Sequence, residues 1–225
     1  MTPGAKEGQS VFGDFLAGIR HLVERPQLLL LSLGFMGFVI AGFSYQVVVP
    51  AFVELELGRD QGTVGLLYGV SGIAGLAVSV GIAGVAGSKH AFVTMTAAGV
   101  VVAVGLALFA VAGTLWLAAF ALVVVGAGSS GYQLLQNALL MEAAAPEYYG
   151  RVMSVVMLAW GVNGLVAWPF GALADAIGER ETLAVMAALT LLVQAAVIAG
   201  HTTVGRRGAV AGQPAVDFAG PGNDG

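Results

Sequence analysis

The sequence predicts an all-α integral membrane protein built from six transmembrane helices. Charge is confined to hinges: residues 26–53, 61–88, 91–141, 152–174 and 182–205 hold no Asp, Glu, Lys or Arg. About 20 apolar residues suffice for a helix to cross the hydrocarbon core. The chain is 58% hydrophobic and 10% charged, with a mean hydropathy of +0.89, far from the roughly 25% charged residues of soluble domains. Lipid offers backbone amides no partner, so such segments satisfy their hydrogen bonds internally, as helices.

Taken in order, residues 1–26 read as a cytoplasmic linker. Within it Phe12, Phe15, Leu16, Ile19, Leu22 and Val23 recur at helical spacing opposite Asp14, Arg20, Glu24 and Arg25, the pattern of a helix lying on the membrane surface or packed on the bundle. Residues 27–204 form the bundle, with spans over 27–53, 62–87, 91–112, 115–140, 152–174 and 182–203. The uncharged run 91–141 is two helices, turned at Gly113-Thr114. Residues 205–225, rich in Gly, Ala and Pro, have too few large apolar side chains to pack and read as a disordered tail. The first apolar run starts too late and runs too long for a secretory leader.

Orientation follows from the basic residues. Lys6, Arg20, Arg25, Lys89, Arg151, Arg206 and Arg207 fall on one side, Arg59 and Arg180 on the other. The positive-inside rule then places both termini in the cytoplasm of a plasma membrane. The spans start near 27, 62 and 91 and again near 115, 150 and 181, so the second trio repeats the first at an offset of about 87 to 90 residues. Each trio has an odd number of spans, so an inverted 3+3 repeat is expected, the usual plan of secondary transporters. Ser44-Tyr45-Gln46 and Gly131-Tyr132-Gln133, 87 apart, echo it. The 34 glycines include Gly65, Gly69, Gly72 and Gly75 on one face of the second span, Gly34 and Gly37 in the first, and Gly161 and Gly164 in the fifth. Small residues of this kind let helices approach closely in lipid.

Catalytic and cofactor signals are lacking. Gly126 to Gly131 matches the dinucleotide fingerprint in letters, but it lies mid-span, without the strand and acidic residue that motif needs. No P-loop is present, there is no cysteine, and His21, His90 and His201 are isolated in sequence at membrane edges. We expect neither an enzyme nor a cofactor, metal or nucleic-acid partner. Polar residues inside spans therefore mark the candidate path: Tyr45 and Gln46 in the first, Ser130, Gln133 and Asn137 on one face of the fourth, Trp160 and Asn163 in the fifth. No span carries a carboxylate at its centre, which leaves a proton relay without a visible group. A lining of aromatic and amide groups suits an amphipathic or apolar small-molecule substrate.

The segment Glu142, Pro146-Glu147-Tyr148-Tyr149-Gly150-Arg151-Val152-Met153-Ser154 and Pro169-Phe170-Gly171-Ala172-Leu173-Ala174-Asp175-Ala176-Ile177-Gly178 resembles the tenth-to-eleventh helix region of major facilitator superfamily exporters, in the enterobactin-exporter and macrolide-efflux branch. That branch usually reads Pro-x-x-x-Arg-Gly-Arg in the loop; here Tyr149 stands at the first arginine. Gly18-Ile19-Arg20 and Arg25-Pro26 resemble the end of the family's central loop. The resemblance implies that the six spans are helices seven to twelve, half of a transporter whose substrate binds between two six-helix halves, and that the amino-terminal half is a required partner. It also implies a gating role for Glu142, Pro146, Gly150, Arg151 and Asp175. From the residues alone, Gly150 allows a tight turn and Arg151 can cap the fourth span or pair with Glu142 or Glu147. In the family, helices seven, eight, ten and eleven border the cavity while nine and twelve face lipid. Two other readings compete: the permease subunit of an ATP-driven system, whose docking loop Glu142-Ala143-Ala144 partly resembles, and a non-transporting fragment or scaffold.

The charge asymmetry yields a direct test. Single cysteines at Thr2 and Gly222 should be shielded from an impermeant thiol reagent in intact cells, and one at Asp60 should be labelled. Labelling at Gly222 would reverse the orientation.

Overall fold

A computed structural model describes Arg20 and residues 23–210, with side chains except at 147, 151, 155 and 205–210. All regular elements among the described residues are helical. Six helices are long and apolar enough to cross a membrane: Pro26–Leu55, Gln61–Val85, Ala91–Ala110, Leu115–Ala143, Val152–Ile177 and Glu179–Val204. The surface helix expected around Phe12–Arg25 and the tail beyond 210 lie outside the described residues, apart from Arg20, Val23, Glu24 and Arg25. Helical backbone continues to Val210, past the limit of 204 read from hydropathy.

The first span is not one helix. It consists of α1 (Pro26–Phe38), a π turn (Val39–Phe43) and α2 (Tyr45–Leu55). Pro26 opens α1 where a missing N–H costs nothing, after an extended Arg25. The second span is α3 (Gln61–Ile82), capped by Asp60, which accepts from the Thr63 amide at 3.0 Å and the Thr63 hydroxyl at 2.8 Å. Those two bonds hold the Asp60 carboxyl below its ordinary value. The third and fourth spans, α4 (Ala91–Ala110) and α5 (Leu115–Ala143), meet at the expected turn. There Thr114 accepts from the Leu117 amide. The fifth span, α6 (Tyr149–Ile177), ends at Gly178, whose φ of 100° only glycine adopts readily, and α7 (Glu179–Val210) follows at once.

Two trios pack with the same plan. The first span of each trio packs on the second and third spans of the other: α5 lies against α3 and α4, α1 and α2 lie against α6 and α7, and α4 and α7 also meet. Burial repeats too: 61, 17 and 44% of the most apolar stretch in spans one to three, and 50, 18 and 33% in spans four to six. The central members of both trios, α3 and α6, are thus the most open helices.

Glycine fills two different roles. At the contact of α3 with α5, Gly126 lies against the Ser71 backbone and Gly75 against the Ser130 hydroxyl, an interlock of Ser71-x-x-x-Gly75 with Gly126-x-x-x-Ser130. Gly128 meets Ala98 and Val102, Gly105 meets Ala121 and Val125, and Gly34 and Gly37 meet Val197 and Val193. The Gly126–Gly131 run is packing surface. Gly65, Gly69 and Gly72, by contrast, face open space, as do Gly161 and Gly164. The expectation of close packing at these five is corrected: no helix of the described residues covers them. Leu66, Ile73, Leu76 and Val80 on α3, and Met157, Leu165 and Trp168 on α6, are exposed beside them.

Arginines close the bundle at both ends. Arg180 Nε donates to Glu56 at 2.6 Å, its Nη1 to the Ala110 carbonyl at 3.1 Å, and its guanidinium lies 5.2 Å from the Phe52 ring centre. At the other end Arg25 donates to the Ala143 carbonyl at 3.4 Å. Each guanidinium satisfies a carbonyl at the negative end of a helix.

The two glycine classes should respond oppositely to substitution. Gly126→Val drives a side chain into the Ser71 backbone and should lower stability by about 1–3 kcal/mol, whereas Gly69→Ala meets nothing and should raise it by about 0.5–1 kcal/mol. Thermal unfolding in detergent micelles reads both. Equal effects would mean that the open face is covered by the chain itself.

Candidate functional site

The break in the first span builds the candidate site. Pro50 has no N–H, so the carbonyl of Gln46, four residues earlier, loses its helical partner. Tyr68 of α3 supplies the replacement: its hydroxyl donates to the Gln46 carbonyl at 3.1 Å. One turn earlier, the Ser44 hydroxyl lies 2.7 Å from the Ile40 carbonyl in the π turn and 2.9 Å from the Asn163 side-chain oxygen of α6. One hydroxyl proton cannot serve both. Turning the Asn163 amide so that its NH₂ donates to Ser44, while Ser44 donates to Ile40, satisfies all three groups.

An aromatic wall stands behind these polar groups. Trp160 meets Phe43 edge-on at 5.0 Å between centroids and Phe35 at 6.3 Å. Phe38 stacks on Tyr132 of α5 at 3.8 Å and meets Phe43 at 5.9 Å. Tyr45 is buried and the Gln46 side chain exposed. Tyr45, Gln46, Trp160 and Asn163 are therefore gathered around the π turn, between the open helices α3 and α6. A π turn within an α-helix is a frequent mark of a functional position.

Ser130, Gln133 and Asn137 are placed differently. Ser130 is engaged with Gly75 in the contact of α3 with α5. Gln133 is half-buried and Asn137 exposed further along the same stripe of α5. The loop residues do not form one cluster either. Glu142, Pro146 and Gly150 lie at the end shared by α5 and α6 and are exposed, whereas Asp175 lies in the last turn of α6. A helix of that length separates them by about 40 Å. Gly150 is helical and its φ is negative, so the turn owes nothing to glycine. Extended backbone at Ala144 and Ala145 makes it, followed by a 3₁₀ turn at Pro146–Tyr148. Arg25 takes the Ala143 carbonyl at the end of the fourth span; the side chain of Arg151, expected to cap that span or to pair with Glu142 or Glu147, lies outside the described residues. No group of acidic residues and histidines among the described residues could hold a metal ion.

Tyr68, Ser71 and Arg180 were missed from sequence. Tyr68 carried a usable signal: a lone phenol within a span, one helix away from a span with an internal proline.

The family model of the Major Facilitator Superfamily matches residues 2–167, most of the chain and all of the π-turn site. The chain belongs to the Major Facilitator Superfamily. With its six apolar helices, it is therefore a multi-pass membrane transporter of that superfamily's type. No curated protein and no solved structure matches it.

If Tyr68 repairs the break at Pro50, its value depends on the proline. Tyr68→Phe should cost about 1–3 kcal/mol, because it leaves a carbonyl unsatisfied in lipid. In a Pro50→Ala background, where the alanine N–H restores the helical donor, most of that loss should vanish. Equal losses in both backgrounds, read from detergent melting curves, would detach Tyr68 from the break.

Proposed function

We propose that this chain is the carboxy-terminal six-helix half of an efflux transporter of the enterobactin-exporter and macrolide-efflux kind. It moves a small amphipathic or apolar molecule by alternating access across a cytoplasmic membrane, with both termini in the cytoplasm. Its partner is an amino-terminal six-helix half, in the same gene product or in a separate chain. The observation that carries this reading is the pair of open helices, α3 and α6, which flank the π-turn site and present glycine and large apolar side chains with nothing against them. Such faces suit a second bundle across a cavity. The lining of Gln46, Trp160 and Asn163 holds no fixed charge, which suits an uncharged or weakly polar substrate better than an ion.

In this reading Tyr45 and Gln46 close the outer end of the path, Gln133 and Asn137 the inner end, and Asn163 with Trp160 contacts the substrate between them. Glu142, Pro146, Gly150 and Arg151 serve the inward-outward switch at the cytoplasmic edge, and Asp175 acts at the opposite face.

The chain expressed alone should neither lower accumulation of a hydrophobic dye nor change drug tolerance, while co-expression with a matching amino-terminal half should do both. In that pair Asn163→Ala should weaken substrate binding roughly two- to tenfold, the worth of one hydrogen bond. Export by the isolated, monomeric chain would overturn the proposal, and unchanged affinity in Asn163→Ala would remove Asn163 from the site.

A further inference from the structure

Tyr68 does more at the broken span than close it. A phenol has one proton to give, and Tyr68 commits that proton to the Gln46 carbonyl at 3.1 Å, where Pro50 has removed the helical donor. Its oxygen is left as an acceptor. Among the described residues no group donates to it, and the bond to Gln46 is the whole of its hydrogen bonding.

Its position gives that oxygen access. The ring packs on the core, yet Tyr68 is only half-buried, and it shares a helical face with Gly65, Gly69 and Gly72, which face open space. No side chain at those positions covers the phenol. The other polar groups at the break are constrained less or reached less easily. The Ser44 hydroxyl is 1% exposed and is spent on Ile40 and Asn163, while the exposed Gln46 carboxamide both donates and accepts and so suits a partner of either sense. Tyr68 differs because a backbone carbonyl fixes its sense. Donation to that carbonyl also polarises the phenol, which makes its oxygen a better acceptor.

We propose that Tyr68 is a specificity-determining contact of the path, one that selects substrates presenting an O–H or N–H donor. This rests on the transporter reading above and narrows the substrate from any small amphipathic molecule to one with a hydrogen to give. The substrate donor, the phenol and the Gln46 carbonyl then form one chain of hydrogen bonds. An ether or ester oxygen at the same place meets the phenol lone pairs with no proton between, so the contact disfavours molecules that only accept. The preference is set by the first span. Restoring a backbone donor at residue 50 frees the Tyr68 proton, and the phenol then serves acceptors as well as donors.

Infrared difference spectroscopy of the full chain in detergent micelles tests this without transport. The phenol C–O stretch separates a hydroxyl that only donates from one that also accepts, and the Tyr68 band is identified by its loss in Tyr68→Phe. The probes are 1-naphthol, which can donate, and 1-methoxynaphthalene, which only accepts. In the parent the naphthol should shift the Tyr68 band and the ether should leave it in place; in Pro50→Ala both should shift it. Equal responses to the two probes in the parent, no response to either, or a Pro50→Ala chain still blind to the ether would each overturn the proposal. The readout needs no partner half, so its failure leaves the transporter reading standing, and a failure of export leaves the band shifts unaffected. In the assembled transporter 1-naphthol should compete with an exported dye roughly three- to tenfold better than the ether, and Pro50→Ala should bring that ratio close to one. Equal competition in the parent would also overturn the proposal.

Discussion

A carbonyl that loses its helical donor inside a bilayer has no solvent to turn to, and this constraint organises the site. Pro50 and the π turn break the first span within two turns of each other. One repair comes from outside the span: Tyr68 of α3 reaches the Gln46 carbonyl. The other is made by Ser44 of the span itself, which covers the Ile40 carbonyl and is held in turn by Asn163 of α6. The groups that complete the broken helix from outside thus sit on the second and fifth spans and tie α3 and α6 to it. These are also the helices with the least burial. The break thus draws in the elements whose remaining surface is open.

Elsewhere the bundle is held by the opposite means, close approach without polar repair. Gly126 against Ser71, Gly75 against Ser130 and Gly128 against Ala98 bring backbones together where dispersion, not the hydrophobic effect, supplies the attraction. The two regimes divide the fold. α5 is locked to α3 and α4 by small residues, while α1 and α2 are tied to α3 and α6 by individual hydrogen bonds and aromatic edges. Side chains can re-pair within a polar, aromatic contact more easily than backbones can slide through interlocked glycines. If any part of this bundle rearranges during transport, the π turn is the better placed to do so.

Much of the fold was legible because hinges carry the charge. Glu54 to Asp60, Lys89, Glu142 to Arg151 and Asp175 to Glu181 punctuate the apolar runs, and a bilayer punishes charge anywhere else. The broken first span was not legible, since glycine and proline are common in membrane helices and Gly42, Ser44 and Pro50 look ordinary in sequence. Gly65, Gly69 and Gly72 show the same limit from another side: a small-residue stripe reports that something can approach, not whether the approaching helix belongs to the chain. Of the polar residues singled out, Asn163 and Trp160 came together with the first span because a single turn of α6 carries both. Ser130 did not, because its hydroxyl faces the one glycine of the α3 stripe that is covered. Arg180 escaped notice because at a hinge it looked like one more orientation signal.

The arginine caps bear on how the six helices could move. Arg25 opens the first span and caps the fourth, while Arg180 opens the sixth and caps the third. In an inverted repeat those are counterpart spans, first with fourth and third with sixth, so each arginine ties one trio to the other, at opposite faces of the bundle. The Arg180–Glu56 pair is about one-third exposed on each side, and by itself is worth little in contact with water. The guanidinium earns its place through the Ala110 carbonyl and the Phe52 ring, which join α4 and α2 to the start of α7. With the trios fastened at both ends and α4 packed on α7 between them, relative sliding of the trios would strain several contacts at once. Motion of the whole bundle against the proposed second half would strain none of them. In that proposed transporter the easiest path is rocking between the two bodies, with local adjustment confined to the π turn.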